Sequence, residues 1–365
     1  MKVSISQSTL SEVLSVVQKG ISARSTMPIL AGIFMETRGD QVVFQSTNLE
    51  LSVRCGVSAL VEEPGRIVLP GKVIVDIVKS LPDAAVHISA DDQGAVITCD
   101  RSSFSIRCMD PVDFPLFPSY QEEQSIRMPF EAFSTMAKKV FRVVSKDETR
   151  AILTGVLIEV QDGRIRMVAT DSYRLAVAEA AYEGAAEGFK AVISGSFIAD
   201  LAGLPHTGED IILALAENQV IVTYGDTTFV NRRIEGNYPN YRQLLPNSYA
   251  MKATVNRQDL LGAVRRAALL GKSGAQVRLT VDNVSNVMQL TSNTQDVGSA
   301  QETVRCEVEG DGLEIGFNSY YVAEGLSAMS SENITFEAQA PVKPGIFRSS
   351  EEENYLYLVM PVKMN

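Results

Sequence analysis

Phe130-Glu-Ala-Phe133-Ser-Thr-Met136-Ala-Lys-Lys-Val140-Phe-Arg-Val-Val144 lies in the stretch from Arg127 to Val177 against which the rest of the chain is read. Phe133, Ala137, Val140 and Val144 recur at helical spacing, while Lys138, Lys139 and Arg142 fall off that face. Two strand-like runs follow, Leu153 to Val160 and Arg164 to Thr170, joined by Gln161-Asp162-Gly163. An Asp-Gly between alternating apolar residues predicts a tight hairpin, because both turn residues tolerate positive φ. The stretch closes on Thr170-Asp171-Ser172-Tyr173-Arg174-Leu175-Ala176-Val177, a compact polar turn between strands.

The chain states this pattern three times. Leu10, Val13, Leu14, Val17 and Ile21 form an earlier apolar stripe, and Thr47-Asn48-Leu49-Glu50-Leu51 stands where the central copy has Thr170-Asp171. Asp113-Phe114-Pro115 ends the first copy as Asn237-Tyr238-Pro239 ends the second. A third copy opens at Met251-Lys-Ala-Thr-Val, carries the helix pattern Leu260 to Leu270, and ends in Tyr355 to Met360. A fixed period of this kind bears on the whole fold. The expected architecture is α+β: three tandem similar domains over residues 1–120, 126–247 and 249–365, each with two helices and mainly antiparallel sheet.

Composition narrows the function. The 365 residues are 45% hydrophobic and 21% charged, as in a folded soluble chain. No run approaches the roughly 18 apolar residues of a membrane helix, so no membrane partner is expected. Met1-Lys-Val-Ser-Ile-Ser enters a strand pattern without an apolar signal core, so a cytoplasmic location is expected. Cys55, Cys99, Cys108 and Cys306 lack CxxC spacing, and His87 and His206 stand alone; neither a metal site nor a cofactor is expected. No catalytic constellation is legible. Gly-x-Ser-x-Gly is absent, and Gly271-Lys272-Ser273 follows a helix where a phosphate loop would precede one.

A net charge of −11 argues against nucleic acid in total, but not in distribution. The helical segments with their exits carry fourteen basic residues against eight acidic ones, so the remainder is strongly acidic. Basic helices in an acidic shell suit a protein that meets a polyanion on one face; solvated helix faces with incidental Lys and Arg are the alternative. Helices pack ~10 Å apart, so six in a closed ring leave a hole about 20 Å across between axes, whereas twelve give about 40 Å and clear a duplex roughly 20 Å wide. Three repeats thus need a second chain, and a head-to-tail pair closes the ring.

Met27-Pro28-Ile29-Leu30, Ala169-Thr-Asp-Ser-Tyr-Arg-Leu-Ala176, Tyr238-Pro-Asn-Tyr-Arg242, Gly316-Phe-Asn318 and Leu358-Val-Met-Pro361 together resemble the bacterial DNA polymerase III β sliding-clamp family over essentially the whole chain. The resemblance implies a non-catalytic homodimeric ring that encircles duplex DNA and tethers the replicative polymerase during DNA replication. It also implies a peptide pocket between the second and third domains for the polymerase α subunit, the clamp loader and other proteins with clamp-binding motifs. Carried over, the pocket comprises Leu153, Gly155, Thr170, Tyr173, Arg174, Leu175, Pro239, Leu244, Asn318, Tyr321, Val342, Pro344, Leu358, Met360, Pro361 and Val362. Arg24, Lys72, Lys146, Arg150 and Arg278 match the family's DNA-facing positions, the basic helices add Lys79, Lys138, Lys139, Arg142 and Arg265 to the expected DNA-facing set, and the dimer interface takes Phe104, Leu269 and Leu270. Tyr173 stands where many relatives have histidine and Gln243 where some have arginine, and Ser194-Gly195-Ser196 lacks basic residues found in some. For Leu269 and Leu270, an internal core role is the alternative. A repeat-built scaffold that binds peptides without surrounding DNA is the rival for the whole chain.

Overall fold

The computed structural model describes residues 1–22, 25–91, 93–246, 248–270, 276–294, 297–349 and 354–363. Among the described residues there are six α-helices, each fed directly by a strand: α1 (Gln7–Val17), α2 (Gly71–Ser80), α3 (Phe130–Val140), α4 (Gly195–Ala202), α5 (Arg257–Ala267) and α6 (Ser319–Ser327). The strand-to-helix corners are capped where the sequence supplies a short polar side chain. Ser6 accepts from Thr9 N at 3.2 Å, Asn256 from Gln258 N at 3.0 Å, and Asn318 from Tyr320 N at 3.0 Å. No helix among the described residues is long and apolar enough to cross a membrane.

The chain forms two compact bodies that cut across the sequence repeats. One comprises Met1–Glu131 with Gly203–Arg233, the other Ala132–Ala202 with Ile234–Asn365. In the first body a five-stranded sheet runs Leu60–Glu63, Lys2–Ser6, Ala85–Asp91, Gly94–Cys99, Ser102–Ile106. Its eight-stranded sheet runs Gln124–Pro129, Asp210–Ala216, Gln219–Tyr224, Thr227–Arg232, Leu51–Ser58, Gln41–Thr47, Gly32–Arg38, Arg66–Pro70. Leu10, Leu14 and Val17 of α1 and Ile74 and Val78 of α2 are buried where the two helices meet.

The second body holds a twelve-stranded sheet. Its order is Lys190–Ser194, Gly155–Gln161, Arg164–Thr170, Arg174–Ala181, Tyr355–Val359, Gly345–Ser349, Asn333–Ala338, Met251–Asn256, Gly298–Gly310, Val287–Thr294, Gln276–Asp282, Leu313–Asn318. Neighbours in all three sheets pair antiparallel. Each of the two larger sheets contains one pairing between successive repeats: Leu51–Ser58 with Thr227–Arg232, and Arg174–Ala181 with Tyr355–Val359.

The turn chemistry read from the sequence has its physical counterpart here. Asp162 and Gly163 both take positive φ, +55° and +66°, and Gln161 pairs with Arg164 across the two-residue turn. Two boundaries differ from expectation. α3 stops at Val140, so Val144 lies beyond it in extended backbone, packed against Gly195. The next strand starts at Gly155, two residues after Leu153, because Glu148–Thr154 winds through two short 3₁₀ turns broken by a kink at Arg150. The second is held by Thr154 Oγ1 to the Ala151 carbonyl (2.7 Å) and Ser145 N to the Leu153 carbonyl (2.8 Å).

The Thr47 and Thr170 turns are the same object. In one, Leu49 N donates to Thr47 Oγ1 and the N–H groups of Glu50 and Leu51 donate to Asn48 Oδ1; in the other, Ser172 N donates to Thr170 Oγ1 and Tyr173 and Arg174 N donate to Asp171 Oδ1. Both turns force positive φ on their third residue, +74° at Leu49 and +79° at Ser172. Leucine tolerates that region poorly, and Leu49 is 64% exposed, so it gains little burial in return. Leu49→Asn, suited to the left-handed region, is therefore expected to raise stability by about 0.5–1 kcal/mol in urea unfolding with an unchanged m-value.

Candidate functional site

The second body concentrates its buried polar chemistry at Arg174. This residue is 6% exposed, and its guanidinium meets four partners. Nε donates to Asp171 Oδ2 at 3.0 Å, Nη1 to Glu324 of α6 and to the Tyr357 hydroxyl (3.3 Å), and Nη2 to the Arg142 carbonyl (3.2 Å). Its Cζ also lies 4.5 Å from the Tyr321 ring centroid. A guanidinium suits this position because its planar fork can satisfy several acceptors at once. One side chain thereby ties the Thr170 turn, α6, the last strand and the segment after α3 together.

On the opposite face of the same strand pair lies an apolar cluster. Leu157, Val168, Leu175, Val177, Val192, Tyr238, Tyr241, Ile346, Leu356 and Leu358 pack together, with Ile152, Ile234 and Leu245 partly buried against them. Leu175 and Leu358 face each other across the strand pair, and Met360 N donates to the Tyr173 carbonyl at 2.8 Å, so the chain end continues along the turn. Val362 N then reaches the Gly316 carbonyl (2.9 Å). The segment around Pro239 closes one side: Tyr238 OH donates to the Val168 carbonyl (3.2 Å), and Tyr241 OH and Arg242 both reach Glu159 (2.7 and 2.8 Å).

Of the residues expected to form the pocket, the cluster contains Leu175 and Leu358. Gly155 abuts it, since a Cβ there would collide with Val192 and Ile234. Tyr173 (59% exposed) stacks on half-buried Tyr321 with centroids 6.4 Å apart. Pro239, Leu244 and Met360 are exposed at the rim, and Pro361 and Val362 are half-buried beside it. Thr170 is committed to the turn, donating to the Arg174 carbonyl at 2.7 Å. Leu153 is buried beside the segment after α3, bonded through its carbonyl to Ser145; Asn318 caps α6; Val342 (exposed) and Pro344 lie in the turn before Gly345–Ser349. Among the cluster residues that sequence reasoning did not assign to this place are Val177, Ile346, Tyr241, Leu245 and Ile152. Period-two alternation from Leu175 could have found Val177, which shares its face, whereas Ile346 is recruited by pairing with Leu358 and carries no local signal.

The basic residues divide. Lys72 and Lys79 of α2, Lys138 of α3, Arg142, Lys146 and Arg150 after it, and Arg265 of α5 are exposed. Lys139 is a correction: it is 9% exposed, with Nζ 3.4 Å from Asn354 Oδ1 and 5.6 Å from the Tyr355 ring centroid, because the next residue along α3 points about 100° away from Lys138. Arg150 donates to Asp147 (3.1 Å) and Ser172 (2.9 Å), and half-buried Arg278 pairs with Glu314 (3.3 Å). Surface pairs of this kind contribute ~0–1 kcal/mol and do not hold a cation away from phosphate. Arg24 lies outside the described residues. Leu269 is 80% exposed, Leu270 half-buried, and Phe104 half-buried on the outermost strand of the five-stranded sheet. His87 meets Ser4 Oγ at 2.6 Å, and His206 stands edge-on to Phe130 at 5.0 Å.

Comparison with known proteins tiles this chain in order. Residues 1–118, 127–240 and 242–363 match the N-terminal, central and C-terminal domain models of the DNA polymerase III beta subunit. A beta sliding clamp of Staphylococcus epidermidis is 31% identical over 356 residues, covering 94% of each chain. The DNA polymerase sliding clamp of Bacillus subtilis superposes with a TM-score of 0.94 at 28% identity, and the DNA polymerase III beta subunit of Thermotoga maritima with 0.94 at 27%, each covering 100% of both chains.

Removing Arg174 would leave Glu324 and Asp171 without their buried cation. Arg174→Ala is expected to destabilise the protein by about 3–5 kcal/mol in chemical denaturation. The tyrosines give a pH test. Burial, with the Glu159 hydrogen bond adding to it, pushes Tyr241 up to about 12, and burial raises Tyr238, Tyr355 and Tyr357 as well. A phenol that holds its proton more tightly when folded contributes stability fully below the unfolded value near 10, and that contribution is lost as pH rises through the folded value. Stability should therefore fall between about pH 10 and 12, and phenolate absorbance at pH 11 should be lower for the native than for the denatured chain.

Proposed function

The chain belongs to the DNA polymerase III beta subunit family, and we propose from that membership how its parts work as a sliding clamp. It is a non-catalytic processivity subunit for DNA replication, partnered in general with DNA, polymerase and clamp loader. The observation that carries this reading is the in-order tiling of the whole chain by the three domain models.

The working unit is a head-to-tail homodimeric ring around duplex DNA. Two seams support this arrangement: each successive repeat pairs its closing strand with the repeat before it. The first repeat's closing strand, Ser102–Ile106, has one ladder partner among the described residues, Gly94–Cys99, and its other edge is open. Such an edge, carrying Phe104, invites a strand from another chain. Leu269, at 80% exposure, is an apolar side chain that a partner would cover. A twofold pair makes both contacts at once.

DNA is met through Lys72, Lys79, Lys138, Arg142, Lys146, Arg150, Arg265 and Arg278, with Arg24 assigned on resemblance alone. Contacts of this type read phosphate and carry no base sequence, so the ring can slide. Polymerase and loader dock by short peptides whose apolar anchors enter beside Leu175, Val177, Ile346 and Leu358, against the rim of Pro239, Leu244, Met360 and Pro361. Tethering makes rebinding of the polymerase an almost intramolecular event, which is what processivity requires.

Two outcomes test these assignments. Leu244→Ala with Met360→Ala, both at solvent-facing rim positions, should weaken a fluorescein-labelled peptide with leucine and phenylalanine anchors by about tenfold or more with an unchanged melting temperature. Unchanged affinity would move the peptide elsewhere. Lys146→Ala with Arg150→Ala should slow loader-dependent loading and leave the dimer intact by sedimentation; an unchanged loading rate would remove these cations from the DNA path.

A further inference from the structure

The two seams share one backbone plan but not one chemistry. With the register carried on from the Thr47 and Thr170 turns, Arg54 stands where the second body has Val177, and Gly56 where it has Glu179. The ladders agree. Arg54 pairs with Gln45 and Thr228 as Val177 pairs with Val168 and Leu356, and Gly56 pairs with Val43 as Glu179 pairs with Arg166. As alternate residues of one strand, Arg54 and Gly56 share a face of the sheet. Phe117 packs on that face, against a cluster that includes Ile221 and Val230.

In the second body a carboxylate of the chain itself occupies this place: Glu179 pairs with Arg164 (2.6 Å) and Arg166 (2.9 Å). In the first body the cation has no such partner. Arg54 is half-buried, with Cζ 3.8 Å from the Phe117 ring centroid. Its Nε is enclosed without an acceptor, and among the described residues its guanidinium forms no hydrogen bond or ion pair. The carboxylate whose field it feels, Glu36, is committed to Arg38 at 2.8 Å. Stacking on Phe117 covers one face of the guanidinium but satisfies none of its in-plane N–H groups. Burial accordingly pushes Arg54 below the usual arginine value. Beside it the sheet is bare: a Cβ on Gly56 would meet only Gln41 Oε1, at 3.9 Å.

We propose that Arg54 anchors a carboxylate-binding site over Gly56, which takes a monoanionic carboxylate on a short aliphatic stem. The ligand's carboxylate stands where Glu179 stands in the second repeat. It accepts from the terminal Nη groups of Arg54, which, unlike Nε, are not enclosed. Phe117 holds the guanidinium plane in advance, so little side-chain freedom is lost on binding. Charge selects the class. Glu36 and Arg38 cancel, leaving one formal positive charge that a carboxylate neutralises; a phosphate dianion would bring excess charge beside Glu36. Such a carboxylate comes from the acidic side chain of a peptide or from a small free acid. Neither the ring nor the peptide pocket of the second body is needed for it.

Chemical-shift titration of the ¹⁵N-labelled full-length protein tests it. The probes are propionate, N-acetylglutamate N-methylamide and the neutral isostere N-acetylglutamine N-methylamide. Both acids should produce saturable shifts at Arg54, Gly56 and Val43, with affinity roughly tenfold or more above the glutamine probe. A glutamate probe several-fold tighter than propionate assigns the ligand to an acidic peptide side chain; equal affinities assign it to a free acid. Gly56→Glu, which puts the chain's own carboxylate over the site, and Arg54→Gln should each abolish binding of both acids, with the melting temperature checking that each variant is folded. No saturation, equal responses to the glutamate and glutamine probes, tighter binding of inorganic phosphate than of propionate, or binding retained in either variant overturns the proposal.

Discussion

The structure depends on strand pairing between repeats. Thr227–Arg232 completes a sheet begun by the first repeat, and Tyr355–Val359 completes one begun by the second. Neither repeat could leave that strand unpaired without presenting a row of open backbone donors and acceptors. The consequence is visible in the compact bodies, which divide within the repeat and not between repeats. The same rule, applied to Ser102–Ile106, which has one ladder partner among the described residues, is the physical argument for a second chain.

Arg174 secures one of these pairings. It sits at the first register position of the strand pair, opposite Val359, and spreads its hydrogen bonds over four separate segments. A buried cation is costly unless every partner is in place. Its retention here fits a role in fixing geometry: the turn that presents Tyr173, the helix that carries Tyr321 and the chain end at Met360 are all referred to one guanidinium. The corresponding turn of the first repeat has Leu51 in that position, 6% exposed, and achieves the same backbone path without the charge. Arg174 therefore ties together more of the structure than the turn itself requires.

Much of the fold was legible because local chemistry and global pairing agree. The Asp162-Gly163 hairpin, the apolar stripes of α1 and α3, and the Thr47 and Thr170 turns all follow from residues within a few positions of one another. The α3 boundary was misread because Val144 keeps the helical spacing while the chain leaves the helix at Val140; it packs on Gly195, a contact that no local pattern records. Lys139 was grouped with Lys138 by charge, although adjacent helical residues face different ways, and it is buried at 9% exposure. In the apolar cluster, Leu175 and Leu358 were legible from the resemblance, but Ile346 joins through a partner strand and Tyr241 through its bond to Glu159, more than eighty positions away. Period-two patterning identifies a face; it does not say which distant strand will cover it.

The central claim is that the protein holds DNA by topology. The direct measurement loads it with an active clamp loader and ATP onto nicked circular DNA, then follows retention before and after the circle is cut. Retention on the circle with loss once an end exists is the predicted result. Equal retention on circular and linear DNA would mean that binding is by contact, and would contradict the ring.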